Sequence, residues 1–540
     1  MTSILAETSG SAGRLSEPAT RLQVDSAAAD PDAGLRSSAE NGISNRSTKL
    51  LVTVGIVILL LIGGFFGYRY LSDSGSKQIE SIAVMPFINE SGNADLEYLS
   101  DGMTETLISS LSQLPNLNVR ARSSVFRYKG KEDEVRKIGK ELNVEAILTG
   151  RVVQHGNDLA LYITLIDAIT EKVLWKSDYT RTTANLVNLQ GEIARDVSNK
   201  LRVKMSGADE QRLAKNYTAD PEAYQLYLKG RYFWGKFSPA DHQKAAEYFN
   251  QAILRDPGYA LAYAGLADTY GASSTNGWIP PNEGYPKAKV AVGKALELDE
   301  SLAEAHATSG ALLMFYDLDW AASEREYKRA LQLNPNYENT YEVYSYMLSA
   351  TGRFDEAIGI AKQGVGVEPL AVALSDDLGT ALYLARRYDE SLNQFQRSAE
   401  IEPNHNGTYI GLGMNYEQRG MHTEAIAMFQ KAIDLSERTT EILGLLGHAY
   451  AAAGKHSDAL KILDELKEIS THRYVSAYDL AVLYIGLGDK DHAIEQLNHA
   501  YEDRAGWIIN LKVEPLFDPL RSDPRFEGLV KKAGFPGNSL

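Results

Sequence analysis

Residues 406–439 read NGTYIGLGMNYEQRGMHTEAIAMFQKAIDLSERT, and residues 440–473 read TEILGLLGHAYAAAGKHSDALKILDELKEISTHR. The two stretches superimpose without a gap: Leu412, Gly413 and Tyr416 fall on Leu446, Gly447 and Tyr450, and Ala425 and Phe429 fall on Ala459 and Leu463. Each holds two apolar periods of helical spacing, parted at Arg419-Gly420 or Gly454-Lys455. Working outward, seven such units start at Ala260, Ala303, Glu338, Val372, Asn406, Thr440 and Tyr474, with spacings of 43, 35, 34, 34, 34 and 34. An eighth, irregular unit precedes them with Gly230, Ala245, Phe249, Ala252 and Pro257, and Pro257, Pro335, Pro369 and Pro403 end second helices. Small residues such as Gly413 and Ala425 let two helix backbones approach, while Tyr416 and Phe429 fill the layer between units. One unit alone cannot bury that face, so the pattern implies a stacked array.

The rest of the composition is ordinary for folded protein: 44% hydrophobic and 23% charged over 540 residues, more than one hydrophobic core normally supports. A formal charge of -16 with a pI near 5.2 opposes a chain-wide footprint on nucleic acid, which needs clustered Lys and Arg. Cys is absent, which excludes disulfides, thiolate metal sites and thiol nucleophiles.

Residues 1–48 are rich in Ser, Ala, Gly and Asp without an apolar period and read as a disordered tail. Residues 49–71 read as a transmembrane helix, because Leu50 to Tyr68 (LLVTVGIVILLLIGGFFGY) is uncharged between Lys49 and Arg69. At about 1.5 Å per residue it would span roughly 28 Å, against a hydrocarbon thickness of about 30 Å. Arg36, Arg46 and Lys49 ahead of the span, against Arg69 and Lys77 after it, favour a cytoplasmic amino terminus. Residues 78–205 alternate strand and helix signals: Ser81 to Phe87, a helical period through Leu99, Met103 and Leu107, a helix at Val135 to Leu142, a hairpin from Ala146 to Leu165 about His155-Gly156-Asn157-Asp158, a strand from Val173 to Tyr179, and a helix from Leu186 to Val203. That is a small α/β domain.

The 34-residue period and its offsets resemble the tetratricopeptide repeat (TPR) family over residues 219–507, about eight units, with residues 508–540 as a carboxy-terminal cap. The departures are Glu300, Glu437, Thr471 and Ala505 where Pro is commonest, and a nine-residue insertion around Asn276 to Tyr285. The runs SIAVMPFINES (Ser81 to Ser91), IGKELNVEAILTGRV (Ile138 to Val152) and LIDAITEKVLWKSDY (Leu165 to Tyr179) resemble the amino-terminal domain of the envelope protein TolB. Such a domain often sits between a membrane helix and TPR repeats, with a winged-helix, kinase or adenylate cyclase domain on the other side. The resemblance implies a bacterial inner-membrane protein with a periplasmic body; the 48-residue tail is too short to hold such an output domain. The expected fold is mainly α: a TPR α-solenoid preceded by a small α/β domain and one transmembrane helix.

No arrangement for catalysis is legible, and no cofactor or metal site is expected. Gly454-Lys455 lacks the glycine five positions earlier that a phosphate loop needs, Ala449 standing there, and Asp317 and Asp319 are placed to cap the helix at Trp320. The concave surface remains. On a helical wheel the repeat offsets put Asp268, Glu304, Glu342, Tyr346, Asp376, Tyr383, Glu441 and His448 there, an acidic and aromatic groove suited to a protein or peptide partner with basic residues. The expected function is a membrane-tethered protein-binding scaffold, with a non-enzymatic transmembrane signalling receptor as the alternative; the oligomeric state is left open.

Overall fold

The apolar run at residues 81–87 is broken by Pro86, and strands form on either side of the break, at Ser81–Val84 and Ile88–Asn89, and join one sheet. In chain order the strands are β1 (Ser81–Val84), β2 (Ile88–Asn89), β3 (Asn118–Val119), β4 (Ala146–His155), β5 (Asp158–Asp167) and β6 (Val173–Thr182). β1 lies between β3 and β4 and is parallel to both, β2 adds parallel to the far part of β4, and β4-β5-β6 form an antiparallel meander. The helices of this domain are α1 (Glu97–Ser112), α2 (Arg122–Val125), α3 (Val135–Leu142) and α4 (Leu189–Leu201). Leu99, Met103, Leu107 and Leu111 of α1 pack with Ile82, Val84 and Leu148 of the sheet in a core that also takes Ile193 and Val197 of α4. The computed structural model describes residues 78–536, apart from 94, 95, 115, 132, 133, 156, 157, 183–185, 214, 216 and 437. The expected tail and membrane helix lie outside the described residues, among which no helix is long and apolar enough to cross a membrane.

After β6 and α4 the chain becomes eight helix pairs among the described residues, from Pro221–Trp234 with Pro239–Arg255 to Ala477–Gly486 with Lys490–Glu502. The fold is a mainly α TPR array preceded by a small mixed α/β domain. Glycine sets the packing distance within a pair: a Cβ on Gly413 would stand 2.5 Å from the Phe429 ring, and one on Gly379 2.7 Å from Phe395. Tyr341 and Tyr409, two repeats apart, both donate through Oη to the carbonyl of the proline ending the preceding unit, Pro335 or Pro403, at 2.8 Å. The spacing of 35 after Ala303 has a local cause, since the wide π-type turn Leu313–Asp317 absorbs the extra residue without shifting the next pair. The nine-residue insertion lengthens the helices Ala260–Thr275 and Pro281–Leu298 and forms the loop between them. Asp319 does cap its helix, accepting from the Ala322 N–H at 2.9 Å, whereas Asp317 pairs with Lys289 at 2.7 Å.

The array curls until its end meets its beginning. The turn Gly506–Asn510 packs on helix Ala260–Thr275, so closely that a Cβ on Gly506 would stand 2.6 Å from the Thr275 carbonyl oxygen. Trp507 meets Tyr346 edge to face (6.1 Å), Phe535 stacks on Trp320 (5.0 Å), and the inserted loop at Gly277 faces Tyr474. Phe517 and Phe526 are fully buried beneath the last helix pairs.

The α/β domain lies along the edge of the array where second helices end and first helices begin. Glu368, fully buried, accepts from the Ala121 N–H and from Ser124 Oγ, both at 2.7 Å, and so caps α2 from a different domain. Arg127 donates to the carbonyls of Leu370 (3.2 Å) and Ile401 (3.3 Å), and Asn336 donates to those of Ser112 (3.1 Å) and Leu117 (3.3 Å). Arg231 and Arg122 converge on Glu105 of α1, with Arg231 Nε 2.9 Å from Glu105 Oε1.

Candidate functional site

The first helices of successive units line the inner surface of the curl, and acidic residues recur there. Asp268, Glu304, Glu342 and Glu441 stand half-buried on this surface, as the repeat offsets place them. Burial first, then the charges of Glu304 and Glu105 against the pull of Arg231, bring Asp268 up to about 6. Burial raises Glu441 to about 7. Glu342 is also pushed up, by burial and then by Glu338 and Asp268. Among the described residues, none of Asp268, Glu304, Glu342 or Glu441 has a Lys, Arg or His within ion-pairing distance.

Of the remaining expected groove residues, Asp376 and Tyr383 are buried and their placement on a solvated face is corrected, whereas Tyr346 and His448 are half-buried and engaged with neighbouring side chains. Asp376 is 8% exposed, because its carboxylate turns toward the next unit, where Thr408 Oγ1 donates to it (2.8 Å) and His405 Nδ1 lies at 3.0 Å. Tyr383 is 1% exposed, because the carboxy-terminal segment crosses the groove and its Oη donates to Glu514 Oε1 at 2.8 Å. Beside it, Arg386 holds Asp518 through two bonds of 2.7 Å. His448 is engaged with Glu417 at 2.5 Å, and Glu417 also meets His422 at 2.6 Å; although burial opposes it, these two histidines hold the Glu417 carboxyl below its usual range. Tyr346 remains at the channel wall, but Trp507 covers one side of its ring and its Oη donates to Asp377 Oδ1 at 2.7 Å.

Two carboxylates that the helical wheel passed over complete the inner stripe. Asp377 and Asp479 stand at the same repeat offset, 102 residues or three periods apart. Both are 4% exposed. Asp377 Oδ2 has no hydrogen-bond partner, and burial, then the charge of Glu342, raises this group well above its usual range. Asp479 accepts from Thr440 Oγ1 (2.7 Å), and burial followed by the charge of Glu441 brings it to about 8. The shared offset was the signal that could have found them. Trp507 and Glu514 carry no repeat signal, and only the closure of the curl brings them into the channel. Among the described residues no group of three or more His, Cys, Asp or Glu side chains is placed to hold a metal ion. Chemically, the arrangement offers carboxyl groups without ion-pair partners among the described residues, and tyrosine rings, along the inner surface of the curl.

These features define a helical-repeat protein whose inner surface is acidic and whose outer edge carries an α/β domain. Tetratricopeptide repeat models match residues 369–438, 416–473 and 475–502. The model of the second domain of HilA/YgeH-like transcriptional regulators matches residues 77–196. The chain therefore carries TPR repeats, preceded by a domain similar to the second domain of HilA/YgeH-like regulators. A protein of Rhizobium meliloti (strain 1021) described as "Putative adenylate cyclase 3" is 35% identical over 231 residues, 42% of this chain and 39% of that protein. The chain thus spans about two fifths of the length of the curated relative it matches. Among solved structures, the human IFIT1 dimer aligns over 59% of this chain and 77% of that chain at 15% identity and a TM-score of 0.40. Pseudomonas aeruginosa PilF aligns over 40% of this chain and 94% of that chain at 18% identity and a TM-score of 0.31.

Proposed function

We propose that this chain is a non-enzymatic regulatory protein, anchored in a bacterial membrane, whose TPR channel receives a basic segment of a partner protein. The observation that carries the reading is the stripe of inner carboxyl groups, Asp268, Glu342, Asp377, Glu441 and Asp479, none within ion-pairing distance of a basic side chain among the described residues. Burying a carboxylate without an ion-pair partner costs stability, and the response of these groups is a raised affinity for protons. Lys or Arg side chains entering the channel would replace those protons and recover the cost.

A specific observation favours regulation over a passive scaffold. Ser123 of the α/β domain donates to Glu338 (2.7 Å) and Ser109 lies 3.3 Å from Glu304, so inner-surface carboxylates also hold the HilA/YgeH-like domain. A cation bound at these residues competes with those hydrogen bonds, which gives occupancy of the channel a route to the other domain. That is the behaviour expected of a chain related to winged-helix regulators and cyclase fusions. In this reading residues 50–68 tether the body to the inner membrane, and the TolB-like and repeat domains face the periplasm.

The test is binding of a fluorescent peptide alternating lysine and leucine to the full chain in mild detergent. Glu342→Lys with Glu441→Lys should weaken binding at least about tenfold at low salt and much less at high salt, where charges are screened beyond roughly 8 Å. Affinity should rise as pH goes from 6 to 8, because Glu441, at about 7, gives up its proton over that range. An affinity independent of pH, salt and the double substitution removes the channel from the function. Protease added to spheroplasts should digest the repeats and spare the tail; protected repeats reverse the orientation.

A further inference from the structure

The sheet of the α/β domain has two unlike edges. At the β3 edge, Asn336 of the repeats donates to the carbonyl of Leu117, just ahead of Asn118. The opposite edge is β6, ten residues long, which among the described residues pairs only with β5. Natural edges of this length are normally covered or blunted, since a row of free N–H and C=O groups templates another strand. Here the covering is slight and confined to the ends: the Arg181 side chain donates to the Thr180 carbonyl (3.0 Å) near one end, and at the other, where Val173 and Leu174 are 51% and 42% exposed, a bulge at Leu174 shifts the register against β5, leaving Trp175 to Tyr179 as the regular central stretch.

The residues of β6 read VLWKSDYTRT. Trp175, Ser177 and Tyr179 share the face that α4 covers, with Tyr179 Oη donating to Asp196 of that helix (2.7 Å). Lys176 and Asp178 share the exposed face, and among the described residues neither has an ion-pair partner.

The geometry points to a second copy of this chain as the occupant of this edge, with β6 pairing antiparallel to β6 about a two-fold axis through Ser177. In that register Lys176 faces the partner copy's Asp178 and Asp178 its Lys176, so two ion pairs form at the centre. Trp175 and Tyr179 face each other across the same axis, also twice. Opposite charges and aromatic pairs directly across a ladder are the stabilising kind, and like charges are destabilising. Neighbouring registers fail on that ground. An axis through Lys176 sets lysine against lysine, one through Asp178 sets aspartate against aspartate, and a slip by one residue pairs opposite faces of the sheet. The union joins two sheets of the same order into one continuous sheet, with the repeats at its two outer ends.

Because the chain has no cysteine, one introduced thiol reports the axis directly. Directly opposed Cα atoms lie about 4.5–5.5 Å apart, within disulfide reach. The full chain carrying Ser177→Cys, in mild detergent, should form a disulfide-linked dimer on oxidation. Thr180→Cys, which faces Leu174 of the partner copy, should do so at least about tenfold more slowly. In the Ser177→Cys background, Lys176→Asp or Asp178→Lys alone should reduce crosslinking about tenfold, and the two together should restore it. Sedimentation of the unsubstituted chain and of the same charge variants gives an independent readout should the cysteine variant misfold. Equal crosslinking at positions 177 and 180, indifference to the single charge reversals, or a chain that sediments as a monomer throughout overturns the proposal.

Discussion

Glu441 and Asp479 show how one residue's surroundings decide what it contributes. In an unfolded chain both would titrate near 4, whereas in the fold they sit at about 7 and about 8, raised by burial and, for Asp479, by Glu441. Between about pH 4 and pH 8 the native state therefore binds more protons than the unfolded state, and the sign follows: the stability associated with these protons is present at low pH and lost as pH rises through the folded values. Asp479→Asn with Glu441→Gln should raise the unfolding free energy read from urea titration at pH 8 by on the order of 1 kcal/mol or more, and change it much less at pH 5. Equal effects at both pH values would mean that these carboxyl groups are already ionised in the fold. The acidic stripe is in this sense a stability cost, which the cationic partner proposed above would remove.

At the scale of the helix pair, the determining contact is glycine against an aromatic ring. Gly413 sits in helix Asn406–Gln418 with the Phe429 ring of His422–Leu435 where its side chain would be. Gly413→Ala forces either ring or backbone to move and should cost about 1–3 kcal/mol, despite the better helix propensity of alanine. Pairing it with Phe429→Leu, which frees space, should recover part of the loss. Urea unfolding of the three variants is the measurement, and an unchanged midpoint for Gly413→Ala would contradict the close packing. The same element scale explains why the period tolerates 35 and 43: extra residues go into the turn Leu313–Asp317, or into the lengthened helices Ala260–Thr275 and Pro281–Leu298 and the loop between them, and leave the packing of each pair in register.

At the scale of the molecule, the curl places the carboxy-terminal segment inside the channel it closes. Trp507 lies on Tyr346, and Glu514 takes the hydroxyl of Tyr383, so a ligand of the proposed kind would compete with this segment for the same wall. Trp507→Ala should lower stability by about 1–3 kcal/mol through the lost ring contact. It should also raise the affinity of the lysine–leucine peptide several-fold by opening the wall at Tyr346. A variant that is destabilised without any gain in affinity would show that the turn Gly506–Asn510 does not restrict entry. Docking of the α/β domain belongs to this scale as well. Glu368 caps α2 across the domain boundary, where burial, then the charge of Glu338, raises its carboxyl to about 7.

What the sequence by itself determined is whatever repeats or alternates locally. The helix pairs follow from Gly413, Tyr416, Ala425 and Phe429 recurring every 34 residues, because each contact lies within one unit or between neighbours. The strands β4 to β6 follow from alternation and a turn signal. The half-buried carboxyls Asp268, Glu304, Glu342 and Glu441 were legible for the same reason, being set by offset alone. Asp376 and Tyr383 had equally good offsets and are buried. Only the tertiary structure decided that, since small rotations between units accumulate until residues 506–535 return to the repeats that began the array. No local period encodes a contact between Gly506 and Thr275, or between Tyr383 and Glu514, 131 residues apart. Which face of a repeat is open therefore depends on the summed curvature of all the units before it, a property of the whole chain.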